Sequence, residues 1–284
     1  MKQHAEEFRL ISMCRVLRVH RSGYYAWLRQ PQSRRAVDDT RLLGLIKHAW
    51  LESGGIYGHR KIHDDLRKDG ERCSKHRVAR LMRLEGLRAQ VGYRRRRYIA
   101  GGKPAHVAPN ALQQQFSAAA PNERWVTDIT YLPTYEGFLY LAVVIDLFSR
   151  QVVGWSMQSR IHSDLVLQAL LMAVWRRKPK PGLILHSDQG SQYTGHAWQN
   201  FLGAHGIVCS MSRRGNCHDN AVAESFFQLL KRERVRRKTY ATHADARADV
   251  FDYIEMFFNP KRSHGNNGGL SPVEFEQRYL NQGS

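Results

Sequence analysis

The spacing of apolar residues changes character at Pro121. Before it, they recur at helical intervals in short stretches; after it, they gather into dense β-branched and aromatic runs of strand type. In the first half, Ile11 to Leu28 sets apolar positions on either side of Val19-His20-Arg21-Ser22-Gly23. That pattern predicts a short helix, a tight turn and a second helix capped by Ser22, a helix-turn-helix outline over residues 1–30. Polar Gln30 to Asp39, with Pro31 inside, reads as a linker. Arg41–Leu51 is amphipathic and breaks at Gly54-Gly55; a helix through Leu66 ends at Gly70, and another capped by Ser74 runs to about Glu85. Residues 40–92 are thus expected to form a small helical domain with a second helix-turn-helix. A basic linker over 93–120 follows, rich in Gly, Pro, Ala and Gln.

In the second half, Trp125–Pro133, Phe138–Asp146 and Val152–Met157 predict a three-stranded antiparallel meander. A helix over Asp164–Lys178, a short strand ending at His186-Ser187-Asp188, a helix over Gly195–His205 and a strand over Ile207–Ser210 come next. A long helix opened by Asp219-Asn220 then carries Glu224. Amphipathic Ala244–Phe258, a polar turn and a short helix Val273–Tyr279 complete residues 121–284. The fold class expected is α/β: a five-stranded mixed sheet with flanking helices, preceded by small all-α modules.

Three acids fall on elements of this α/β part: Asp128 within the first strand, Asp188 at the end of the fourth, and Glu224 on the long helix, with thirty-five residues between the last two. Taken singly, each could be a surface or capping carboxylate. Gathered at one point they would repel one another unless a cation joined them, and hard oxygen ligands select Mg²⁺ or Mn²⁺. Two ions are expected, Asp128 bridging both while Asp188 and Glu224 each hold one. Lys231 lies seven residues beyond Glu224, two turns along the same helix face, where it could meet a phosphate. His186 and His218 flank the acids and read either as ligand-orienting groups or as ordinary packed or exposed histidines.

Charge narrows the partner. The 284 residues carry 44 Lys and Arg against 25 Asp and Glu, a net +19 and a pI near 10.2, so a polyanion is expected, although charge alone does not separate DNA from RNA or a membrane surface. Arg60, Lys75, Arg77 and Arg80 on the second helix-turn-helix, and Arg94, Arg95, Arg96 and Arg97 at the head of the linker, are the candidate phosphate contacts. A solvated basic face would look the same. No apolar run approaches the roughly 20 residues that span a bilayer, and no signal-type core follows the basic start, so a soluble cytoplasmic protein without a membrane partner is expected. Four scattered cysteines without a C-x-x-C pair read as reduced thiols, and Cys209 with Cys217-His218 fits no common zinc spacing.

The segments WVTDITYL, HSDQGSQY and DNAVAESFFQLLK, in this order and spacing, resemble the retroviral-integrase-like DDE transposases. More narrowly, they are similar to the second-frame (OrfB) catalytic protein of the bacterial insertion-sequence family numbered three. The likeness covers nearly the whole chain, since YGHRKIHDDLRKDG and SKHRVARLMRLEGLRA resemble the small domain that precedes the core there. It implies an RNase H-like core with the first and fourth strands side by side, and Asp128, Asp188 and Glu224 as the catalytic triad. It also implies Mg²⁺-dependent cleavage at element ends followed by 3′-hydroxyl strand transfer. It supports Lys231 as a DNA contact and leaves Asp146, which also ends an apolar strand, as a structural turn acid. A homo-multimer on element-end and target DNA is expected, with an upstream-frame protein as fusion or partner; no sustained heptad occurs in this chain. An element regulator with an inactive core and a nuclease that cuts without joining are the competing readings. The stretch Asn266-Asn267-Gly268-Gly269 departs from the more apolar turn the family suggests.

Overall fold

The computed structural model describes residues 1–30, 32–90, 108–109, 112, 117–212 and 220–282. Two compact units divide the chain, Met1–Gln90 and Val91–Ser284.

The first unit is helical: α1 (Leu10–Val16), α2 (Arg21–Arg29), α3 (Arg34–Glu52), α4 (His59–Lys68) and α5 (Lys75–Leu84). Leu42, Ile46, Ile62, Leu66, Val78, Leu81 and Met82 supply the buried apolar positions of α3, α4 and α5. The hairpin of α1 and α2 buries only Cys14. Ser74 caps α5 as its sequence predicts, its Oγ accepting the Arg77 N–H at 3.2 Å. Two expectations are corrected. The stretch read as a linker over Gln30–Asp39 is helical from Arg34, with Ser33 Oγ accepting the Ala36 N–H at 3.1 Å. Its first turns, Arg34–Thr40, bury no apolar side chain, Val37 itself being exposed, so apolar spacing carries no signal there. Ser22 is not a cap: α2 starts at Arg21 after His20, and Ser22 Oγ instead meets His20 Nδ1 at 2.7 Å.

The second unit holds a five-stranded mixed sheet, β1 (Arg124–Thr134), β2 (Gly137–Asp146), β3 (Val152–Gln158), β4 (Ile184–Ser187) and β5 (Val208–Met211), in the order β3-β2-β1-β4-β5. β1, β2 and β3 form the antiparallel meander; β4 joins β1 in parallel and β5 joins β4 in parallel. Around the sheet run α6 (Ser163–Arg177), α7 (His196–Ala204), α8 (Ala221–Glu233), α9 (His243–Phe251) and α10 (Pro272–Gln282), which makes this the α/β class expected.

Trp125, Ala142, Val144 and Leu185 of the sheet pack with Leu165, Val166, Ala169, Leu170 and Ala173 of α6 and Trp198 and Leu202 of α7. The β3–α6 approach requires glycine: a Cβ on Gly154 would lie 2.2 Å from Ala169 O and 2.7 Å from Ala173 N. Asp146 is fully buried and accepts from the Asn122 N–H (2.7 Å), Trp125 Nε1 (3.2 Å) and the Phe148 N–H (2.8 Å). Burial pushes its carboxyl up to about 6, and its ties are those of a turn acid.

α9 runs straight into a π-helical stretch, Asp252–Phe258, which buries Tyr253, Ile254, Phe257 and Phe258. Phe226 of α8 meets the Phe258 ring edge-on at 4.8 Å, and Glu233, fully buried, accepts from Arg262 (2.9 and 2.7 Å) and the Tyr253 hydroxyl (2.7 Å). Burial alone would raise the Glu233 pKa, but Arg262 outweighs it and holds the carboxyl below its ordinary value. The polar turn before α10 is a lock. Asn267 is buried and donates to Ser149 O at 2.7 Å, while Gly268 and Gly269 adopt positive φ of 63° and 85°. An apolar turn could not supply that bond.

Candidate active site

The parallel pair of β1 and β4 sets the site. Arg124 stands opposite Ile184, Trp125 opposite Leu185 and Val126 opposite His186; the same register carried two residues on brings Asp128 level with Asp188, just past the end of β4. Asp128 Oδ1 accepts the Ile129 N–H at 2.8 Å, and Asp188 Oδ1 accepts the Gly190 N–H at 3.0 Å. Gly190 permits that approach, since a Cβ there would lie 2.9 Å from the same carboxylate oxygen and 2.5 Å from Gln192 Nε2.

Behind Asp188, cross-strand ties hold the loop. His186 is fully buried between Ser210 Oγ (2.9 Å) and Ser212 Oγ (3.1 Å), while Gln189 donates to Ser212 O at 2.9 Å. His186 is therefore a brace between β4 and β5. His218, Cys217 and Asp219 lie outside the described residues; Cys14, Cys73 and Cys209 are free thiols.

The third acid arrives on α8, whose first turn contains Glu224. Ala223, Phe226, Phe227 and Leu230 are buried and fix the helix rotation. Asn220 precedes the helix, is buried, and donates through Nδ2 to Thr127 O at 3.3 Å. The start of the Glu224 helix is thus tied to the residue before Asp128. A further residue escaped the sequence reading. Tyr193 is fully buried with its hydroxyl 3.4 Å from Thr127 Oγ1, and its pKa is driven well up by burial and by the charges of Asp128 and Asp188. Its position inside HSDQGSQY was the available signal.

The charges act on one another. Burial, the Asp188 charge and the Glu224 charge push Asp128 up to about 7, opposed by the Ile129 N–H and the Lys231 ammonium. Asp188 is also raised by burial, opposed by the Gly190 N–H. Among the described residues, no group of three or more His, Cys, Asp or Glu is placed to hold a metal ion, so the acids share one electrostatic field without forming a closed ligand cage. Lys231 Nζ also sits 4.8 Å from the centre of the Tyr131 ring.

The remaining candidates belong to the N-terminal unit or fall outside the description. Arg60 and Lys75 are exposed on α4 and α5. Arg77 pairs with Asp39 (2.6 Å) and Asp38 (2.8 Å), and Arg80 pairs with Asp39 (2.5 Å), so both arginines brace α5 against α3. Arg94, Arg95, Arg96 and Arg97 lie outside the described residues.

A mixed sheet in the order β3-β2-β1-β4-β5, with acids on β1 and after β4 and a third on a helix tied to β1, defines an RNase H-like integrase core, the fold of a class of polynucleotidyl transferases. The chain matches the description "Integrase core domain" over residues 118–217 and again over 224–280, and "HTH-like domain" over 37–97. It is 43% identical over 284 residues, 99% of this chain and 98% of the relative, to "Transposase InsF for insertion sequence IS3A" of Escherichia coli (strain K12). It is 44% identical over 246 residues, 86% of this chain and 97% of the relative, to "Transposase for insertion sequence element IS904" of Lactococcus lactis subsp. lactis (strain IL1403). Among solved structures, the HTLV-2 integrase catalytic core domain in complex with magnesium aligns at a TM-score of 0.43 and 18% identity, covering 56% of this chain and 98% of that one. The chain belongs to the IS3 family of insertion-sequence transposases. Among the described residues, no helix is long and apolar enough to cross a membrane.

Proposed function

We propose that this chain cleaves DNA at the ends of an insertion sequence and joins the freed 3′-hydroxyl to a second DNA, using Asp128, Asp188 and Glu224 with two Mg²⁺ (or Mn²⁺) ions. The observation that supports it best is the parallel β1–β4 register, which carried on sets Asp128 level with Asp188, together with the Asn220–Thr127 bond that ties the start of the Glu224 helix to β1. The donor set is all hard oxygen, which fits Mg²⁺ or Mn²⁺ better than softer metals. Asp128, Asp188 and Glu224 would together hold the ions. When bound, such a pair activates the entering oxygen and stabilises the leaving oxygen of the phosphodiester.

The chain's own residues do the rest. With its carboxyl pushed up to about 7, Asp128 would have to be deprotonated to hold a metal ion. Gly190 holds the Asp188 carboxylate through its N–H, and Asn220 keeps the Glu224 helix against β1. Lys231 meets a phosphate of the bound DNA. Residues 1–30 and 40–92 are the DNA-binding modules, contacting phosphates through Arg60 and Lys75; Arg94 to Arg97 of the 93–120 linker add sequence-blind affinity, and 121–284 are the catalytic core. Joining two ends in concert requires more than one copy on the DNA; the upstream-frame protein is the fusion or partner, and the reaction takes place in the bacterial cytoplasm.

Labelled end DNA, Mg²⁺ and a target plasmid test this directly. Glu224→Gln should bind end DNA as the parent does while losing cleavage and joining. Full cleavage by that variant removes Glu224 from the triad; with the parent chain run both with and without the upstream-frame protein, bound but uncut DNA in both arms would mark a regulator, and fragments without joined product in both a nuclease.

A further inference from the structure

The surface beyond Lys231 carries a chemistry that phosphate contacts do not use. Tyr131 and Phe138, on the β1–β2 hairpin, are 53% and 52% exposed. Their rings meet edge-on at 5.0 Å, and Lys231 Nζ stands 4.8 Å from the Tyr131 ring centre. Between this hairpin and the chain leaving α8 lies a groove of about 490 Å³, lined by Tyr131, Pro133, Lys231, Arg236, Arg237 and Lys238 among others. Lys238 is engaged by Asp249 at 2.7 Å, whereas Arg236 is exposed to solvent.

Duplex DNA offers such a groove its phosphates but keeps its base faces inside the stack. An aromatic face set among cations suits a strand whose bases are unpaired, because every base can stack on a ring while the backbone follows the positive charge. Tyr131 lies three residues beyond Asp128 on β1 and Lys231 two turns beyond Glu224 on α8, so the groove is built on the two elements that carry these acids. We propose that this groove binds an unpaired stretch of DNA strand next to the reacting phosphate, with one base stacked on Tyr131, Phe138 supporting that ring edge-on, and Lys231, Arg236 and Arg237 along the backbone. The proposal rests on the DNA-processing function above and names the form of substrate it takes: an end that is frayed rather than fully paired.

The test reads binding by the full-length chain in a chelating buffer, where no cleavage intrudes. Fluorescence anisotropy compares a blunt duplex end with the same end bearing a short unpaired strand, and 2-aminopurine in that strand reports stacking. The parent should prefer the unpaired end and quench the probe. Tyr131→Ala should weaken binding to the unpaired end by about fivefold or more, the loss expected for one base–aromatic stack, leave the blunt duplex unchanged and abolish quenching. Tyr131→Trp should restore both. Equal losses on the two DNAs, no loss on either, or displacement of the unpaired strand by an acidic peptide at equal charge would overturn the proposal. Glu224→Gln should bind like the parent here, so a failure of the triad and a failure of the groove give separate results.

Discussion

Replacing Asp128 by Asn should make the cation-free protein more stable. The ordinary carboxyl value of 3.8 is pushed up to about 7 by burial, Asp188 and Glu224. The native state therefore keeps a proton that the unfolded chain releases, and stability falls as pH rises from about 4 through about 7. At about 1.4 kcal/mol for each tenfold change, the penalty above that window is at most ~4 kcal/mol; Asp128 is only partly buried, and solvent screening brings it to ~2–3 kcal/mol. Asn keeps the shape and an oxygen for the Ile129 N–H while removing the charge. Urea unfolding should show no difference between the two proteins at about pH 4 and a gain of ~2–3 kcal/mol for Asp128→Asn at about pH 8, or roughly 4–12 °C in the transition of the catalytic unit. Saturating Mg²⁺ should then narrow the gap, because it stabilises the parent by about 2.7 kcal/mol at a hundred times its Kd and finds a poorer site in the variant. Asp188→Asn should remove part of the pH dependence by relieving Asp128. A variant that is less stable than the parent at about pH 8, or a difference that ignores pH, would refute convergence of these acids.

Gly154→Ala sets a methyl group against two backbone atoms of α6 that cannot rotate away, and should cost about 3 kcal/mol, seen as a fall of roughly 6–12 °C in the same transition; a cost below about 1 kcal/mol would show that β3 and α6 separate freely. Asp146→Asn can accept only some of the N–H bonds now made and should lose about 1–3 kcal/mol, yet keep its cleavage rate per folded molecule. A stable but inactive Asp146→Asn would make that acid catalytic.

The strands were legible because their signals are local. Trp125–Pro133 and Phe138–Asp146 are β-branched and aromatic runs broken by a Gly-containing turn, and the observed β1 and β2 extend them by a residue or less at either end. Nothing local in Asp128 points to Asp188: the sequence linked them only through the family resemblance, and the parallel β1–β4 register is the physical link that residue spacing alone does not reveal. Polar segments were less readable. The start of α3 has no apolar stripe, so its Ser33 cap was indistinguishable from a loop serine. Arg77 and Arg80 looked like free cations because Asp38 and Asp39 lie far back in the chain, and only the helix packing brings them together. The π-helical turn after Phe251 gave no warning, since its apolar residues also suit an ordinary helix.

The shared β1–β4 register implies an uneven tolerance to insertions and deletions. Arg124 to Asp128 and Ile184 to Asp188 cover equal lengths from the same rung, so a residue added to either segment alone would turn one carboxylate toward the opposite side of the sheet. The excursion between them, through β2, β3 and α6, returns to that rung whatever its length. Among homologues that keep the activity, length changes should therefore collect in the connecting turns and be excluded from these two short segments.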